Sequence, residues 1–169
     1  MSTRAVPNAA ESAASIHADF VDRMKRFYRT DASVVAVDGA LDVFHALHAA
    51  RVTVTLDTGF DRVIADTVLD RLGWSEWNLI SATVTSDEVV RGRPHPDMIF
   101  TLMQKIGISE ASAVAKIGDT PSDLLSGAAA GCGWNIGVTT GTHSRRALEP
   151  YPHTHLIDQL RELPALFEL

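Results

Sequence analysis

The apolar positions of this chain follow two rhythms. Over residues 10–29 they recur at helical spacing, with Ile16, Phe20, Met24 and Phe27 on one stripe. Arg23, Lys25, Arg26 and Arg29 lie mostly off that stripe, as a solvated basic face. From Ser33 onward, short β-branched runs alternate with helical stretches. The runs are 33–37, 52–56, 80–84, 113–117, 134–139 and 154–157. The helical stretches are 41–50, 61–72, 97–106, 121–130, 144–148 and 160–167. Gly73 stops one of them, and Pro96 and Pro121 open two others as first-turn prolines. Trp74 and Trp77 read as large core residues, and residues 1–9 as a frayed start. Strand and helix alternate with short connections. That predicts βαβ units, right-handed crossovers and a parallel sheet with helices on both faces. No fixed-period repeat or low-complexity linker interrupts the pattern.

Composition narrows the picture. A chain of 169 residues, 46% hydrophobic and 21% charged, can bury one sizeable core. A net charge of −6, with no cluster of Lys or Arg, argues against a nucleic-acid surface. No apolar run approaches the roughly 18 residues that span a bilayer, and no basic start precedes an apolar core as in a secretory signal. The single cysteine, Cys132, sits between two glycines and reads as a small buried residue; a reducing, cytoplasmic setting is expected.

A parallel sheet gathers the carboxyl ends of its strands on one edge, where ligands of open α/β sheets bind. That edge collects Asp38, Asp57-Thr58-Gly59, the loop 91–96, Asp119 with Asp123, and residues 139–143. Thr58 can offer a hydroxyl, and the Gly59 N–H can approach an anion closely. Arg93 can fork onto a phosphate. Asp119 can ligate Mg²⁺ and Asp123 can hold one of its waters. These are parts that phosphoryl transfer needs, but no Ser–His, Cys–His or Asp-x-Asp arrangement supplies a nucleophile. His95, between two prolines, is a candidate substrate contact; His153 and His155 read as loop residues, since no third ligand stands at zinc spacing.

Five segments together carry a family resemblance: 56–62 (Leu-Asp-Thr-Gly-Phe-Asp-Arg), 69–74, 92–97 (Gly-Arg-Pro-His-Pro-Asp), 118–124 (Gly-Asp-Thr-Pro-Ser-Asp-Leu) and 152–155. In this order they resemble the haloacid dehalogenase (HAD) superfamily of hydrolases, in its phosphonatase-like branch near phosphoglycolate phosphatases. The resemblance implies a Rossmann-like three-layer core over 33–169 and a remnant of a helical cap over 1–32. It implies a Mg²⁺-dependent hydrolase of small phosphomonoesters. Thr58 matches the phosphate-binding hydroxyl, Arg93 the basic residue of the third motif, and Asp119 and Asp123 the metal site. Family members form an aspartyl-phosphate on a first, central strand. The resemblance places that motif ahead of Met1, so the chain is expected to lack the strand and its Asp and to be inactive by itself. A non-catalytic HAD-fold binding protein is the alternative. Lys25, Lys105 and Lys116 are the only lysines, and none matches a Schiff-base lysine.

The missing strand leaves a question. In the family sheet it lies between the strands at 52–56 and 113–117, and an unmet buried backbone group costs about 1–3 kcal/mol. In one reading 34–37 fills the slot, which puts Asp38 at the catalytic edge and Ala36 in the nucleophile's place. In the other, 34–37 stays a linker, and a partner chain or local rearrangement covers the gap. An open slot or the stripe of 10–29 would also favour a homodimer.

Overall fold

The computed structural model describes residues 9–75 and 78–169. Trp77 and residues 1–8 lie outside the described residues. Seven helices are assigned among them: α1 (Ala9–Thr30), α2 (Ala40–Ala49), α3 (Arg62–Leu72), α4 (Asp97–Ile106), α5 (Pro121–Ala130), α6 (Arg145–Leu148) and α7 (Leu163–Leu166). The strands are β1 (Thr55–Thr58), β2 (Ala82–Thr85), β3 (Ala115–Gly118), β4 (Trp134–Val138) and β5 (His155–Ile157).

The helix ends follow local chemistry. Asp61 caps α3 by accepting from the Ile64 N–H at 2.8 Å. Thr120 and Asp123 form a reciprocal capping box on α5, with Pro121 in its first turn. In α4 the buried face is Met98, Ile99, Leu102 and Met103, at helical spacing.

All strand pairs are parallel. β1 pairs with β2 from Thr55↔Ala82 to Thr58↔Thr85, and β3 pairs with β4, which pairs with β5. β1 starts three residues later than the run 52–56 suggests. The Val52 N–H is drawn back to the Leu47 carbonyl at 2.8 Å, and Arg51 takes φ 61, so the front of that run belongs to the turn out of α2.

One expectation fails. Residues 33–37 form no strand and do not enter the sheet. Val35 is 72% and Val37 62% exposed. The run is held between two turns. Asp31 accepts from the Ser33 N–H at 2.9 Å, and the Ala40 N–H closes back onto the Val37 carbonyl at 3.0 Å. Gly39 has φ 76, a left-handed backbone that suits glycine at the entry to α2. Asp38 does not reach the catalytic edge; it pairs with Arg161 in an exposed contact. Ala36 accordingly stands in no nucleophile's place.

The sheet is therefore split, β1–β2 on one side and β3–β4–β5 on the other. Residues 54–57 and 114–117 face each other across the gap. Val43, Phe44 and Leu47 of α2, with Leu160 and Leu163, wall the gap on one side; Ile99, Leu102, Met103 and Ile106 of α4 wall the other. The gap is a partly open cleft of about 270 Å³.

Candidate active site

The carboxyl ends of β1 and β3 converge on Arg93. Its loop is held by Arg91, which bonds Asp97 at 2.9 Å at the start of α4, and by the His95 N–H on the Gly92 carbonyl at 3.1 Å. Arg93 Nη1 donates to Asp123 Oδ1 at 2.5 Å, and its Nε lies 4.0 Å from Asp57 Oδ1. Its Nη2 lies over Gly59, where a Cβ would stand only 2.9 Å away. Glycine at 59 is thus what lets the guanidinium and the backbone after β1 close on each other.

Lys116 ties the two half-sheets together. From β3 its ammonium donates to Asp57 Oδ2 at 2.6 Å and lies 3.0 Å from Asp123 Oδ1. All three side chains are almost buried, at 7%, 11% and 3% exposure for Lys116, Asp57 and Asp123. Burial alone would resist ionisation of Asp123, but Lys116, the Thr120 hydroxyl and Arg93 outweigh it and hold the pKa at about 2. Asp123 is therefore a carboxylate at any physiological pH. Asp57 Oδ1 is buried and makes no hydrogen bond.

Asp119 behaves differently. It is half-buried at the end of β3, and its Oδ2 accepts from the Thr142 N–H at 2.6 Å and hydroxyl at 2.9 Å. Gly141 makes that seat possible, since a Cβ there would fall 2.2 Å from Asp119 Oδ2. Oδ1 has no partner among the described residues. Thr58 Oγ1 accepts from the Phe60 N–H at 3.2 Å, which leaves its own hydrogen free to donate.

Thr58 and Gly59 thus come from the end of β1, Asp119 and Asp123 from the turn after β3 and the first turn of α5, and Arg93 from the loop that precedes α4. His95 is in the Arg93 loop and exposed. Cys132 packs beside Ile99, Met103 and Ala130, where burial pushes its thiol pKa up. Two residues of the cluster escaped the sequence reading of roles. The sequence places Asp57 at the edge without a task, and Lys116 matches no Schiff-base lysine. A charged residue inside the run 113–117, otherwise wholly apolar, is the signal that it has a buried partner.

Residues 4–131 match the model of the haloacid dehalogenase-like hydrolase family. A validoxylamine A 7'-phosphate phosphatase from Streptomyces hygroscopicus subsp. limoneus is 32% identical over 116 residues, which are 69% of this chain and 52% of that protein. A phosphonoacetaldehyde hydrolase from Bacteroides fragilis is 25% identical over 156 residues, 79% of this chain and 59% of the relative. The chain thus spans little more than half the length of the curated relatives it matches. Among solved structures, a phosphonoacetaldehyde hydrolase-like protein from Oleispira antarctica superimposes with TM-score 0.78 at 20% identity, covering 98% of this chain and 66% of that one. A hydrolase from Pseudomonas syringae gives TM-score 0.76 at 23% identity, covering 99% and 76%. These likenesses show the same fold, a Rossmann-like core with parallel strands. With three quarters of its length matched by the family model, the chain belongs to the haloacid dehalogenase-like hydrolases.

Proposed function

We propose that Thr58, Gly59, Arg93 and Asp119 form the phosphate-and-metal half of a site for small phosphomonoesters, and that this chain alone binds such groups without turning them over. The observation that carries this reading is the placement of Arg93. One guanidinium arm is spent on Asp123, while Nη2 stays free over Gly59. Asp123 acts here as the fixed counter-ion that aims Arg93 and Lys116.

An anion seated on Gly59 can take the Thr58 hydroxyl, the Gly59 N–H and Arg93 Nη2 as three donors. Asp119 fits a hard cation that keeps most of its water, since such ions use one or two protein carboxylates plus phosphate oxygens. A Mg²⁺ held there would neutralise charge that develops on the phosphoryl oxygens.

Besides Asp119 and Asp123, Asp57 is the carboxylate nearest Arg93 and Lys116, and we read it as no attacking group. One of its oxygens is bonded to Lys116, and the other is shut off from solvent, out of reach of an incoming phosphorus. With no other candidate among the described residues, our reading gives the covalent route through an aspartyl-phosphate no starting point among them. The alternative reading, a HAD-fold protein that works by binding, rests on the same missing group. The cytoplasmic setting belongs with this proposal; no described helix is long and apolar enough to cross a membrane.

Calorimetry with inorganic phosphate and Mg²⁺ tests the site. Binding should be saturable and at least tenfold weaker in Arg93→Ala. Turnover of p-nitrophenyl phosphate should stay at background. Phosphate binding indifferent to Arg93→Ala would refute the pocket. Turnover that vanishes in Asp119→Asn would refute the missing nucleophile, and Asp57→Asn would then show whether Asp57 is the one.

A further inference from the structure

Thr58 ends β1 and Asp61 caps α3, so the connection between them is Gly59 and Phe60 alone. Both ends of that connection are fixed. Thr58 stands in register with Thr85 of β2. Beyond the cap, the Arg62 N–H donates to Asp87 Oδ1 at 3.0 Å, and the Arg62 guanidinium pairs with Glu88. The two residues between are the soft part, because Gly59 carries no Cβ to restrict its torsions. The Phe60 ring leans on Tyr28, with centroids 5.4 Å apart, but a ring contact does not fix the peptide.

The peptide is fixed by Ser86, the first residue of the turn Ser86–Glu88 that follows β2. Its N–H donates to the Phe60 carbonyl at 3.0 Å, and its hydroxyl donates to the same oxygen at 3.1 Å. The other backbone group of Phe60, its N–H, donates to Thr58 Oγ1 at 3.2 Å. A hydroxyl that accepts there must aim its own hydrogen elsewhere, away from the Phe60 backbone. Ser86 also lies beside the loop of Arg93, where a Cβ on Gly92 would stand 4.0 Å from Ser86 Cβ. Its single hydroxyl hydrogen is taken by Phe60, so it has none to give an anion.

We propose that Ser86 is a positioning residue of the anion site: by clamping the Phe60 carbonyl it keeps the Phe60 amide on Thr58 Oγ1, and so holds the Thr58 hydroxyl hydrogen aimed at the anion before the anion arrives. The inference rests on the phosphate reading of Thr58, Gly59 and Arg93. Its physical content is preorganisation, since a donor already aimed loses little freedom on binding. Without the Ser86 hydroxyl, the Phe60 carbonyl keeps one bond of two. The Phe60 peptide then rocks about Gly59, and orienting Thr58 weakens binding.

The test compares Ser86→Ala and Ser86→Thr in the whole chain, with inorganic phosphate and Mg²⁺. In calorimetry Ser86→Ala should bind phosphate about fivefold more weakly, the loss expected for one hydrogen bond, and Ser86→Thr, which keeps the hydroxyl, should stay within about twofold of the unaltered chain. Amide exchange without phosphate reads the clamp directly. The Phe60 amide should exchange about fivefold faster in Ser86→Ala, while the Ile64 amide, capped by Asp61, stays unchanged. A double-mutant cycle separates positioning from mere support. In a Thr58→Val background Ser86→Ala should weaken phosphate binding by less than about twofold, because no hydroxyl is left to aim. Ser86→Gly serves if Ser86→Ala does not fold. Unchanged phosphate affinity in Ser86→Ala, an unchanged Phe60 amide, no recovery in Ser86→Thr, or an equal loss with and without Thr58 overturns this inference and leaves the phosphate reading intact. An unaltered chain that binds no phosphate, or binds it indifferently to Arg93→Ala, overturns both.

Discussion

Replacing Asp123 by Asn removes the charge that balances two cations. In the folded chain Asp123 lies 3.0 Å from Lys116 Nζ and 2.5 Å from Arg93 Nη1, with its side chain 3% exposed. After Asp123→Asn, Lys116 keeps Asp57 at 2.6 Å, but Arg93 keeps only the 4.0 Å approach to Asp57. Removing one partner of a buried pair costs about 3–5 kcal/mol. Linkage gives a second handle. The pKa of Asp123 is lowered from 3.8 to about 2, which is worth about 2 kcal/mol at neutral pH. Because the folded value lies below the unfolded one, this stabilisation is complete above about pH 5, about half gone by pH 3, and lost as pH falls through about 2. Urea denaturation of both proteins from pH 7 to pH 2.5 reads both quantities. The variant should be about 3 kcal/mol less stable at pH 7, and the gap should close by about 2 kcal/mol toward the acid end. A gap under about 1 kcal/mol at pH 7, or one that stays constant down to pH 2.5, would refute the buried-anchor account.

Other predictions come from the same geometry. Gly118→Ala places a Cβ 2.2 Å from Asp123 Cγ and should destabilise by about 2 kcal/mol or more in thermal melts. Gly141→Ala pushes on Asp119 at 2.2 Å; it should weaken the Mg²⁺ dependence of phosphate binding in calorimetry with little change in melting temperature. Val54→Ile adds a methyl at the gap wall and should raise stability by about 1 kcal/mol in urea titrations, since the gap has room for it. Ile16 and Phe20 are 70% and 53% exposed on α1; if that stripe drives self-association, Phe20→Ser should reduce it in sedimentation velocity.

Much of the fold can be read along the chain because local and tertiary preferences agree. Helix 97–106 shows its buried face at helical spacing and ends at Gly107, with φ 72, so both ends are legible. Helix 121–130 announces itself through Thr120, Pro121 and Asp123. The run 33–37 misleads because a β-branched stretch looks alike in a strand and in an exposed linker. Only its tethering between α1 and α2 separates them, and that is a tertiary fact. The approach of Arg93 to Asp57 and Asp123 is legible in part because the ends of parallel strands share an edge. The roles of Asp57 and Lys116 are not, because they depend on two side chains reaching across a gap between residues 59 positions apart.

The most direct test of the shared rim is an NMR titration of ¹⁵N-labelled chain with phosphate in the presence of Mg²⁺. The account predicts that the Gly59 amide, the Arg93 side-chain Nε and the Thr142 amide beside Asp119 shift together along one binding curve. Shifts that follow separate curves, or that leave these three nuclei still while others move, would contradict it.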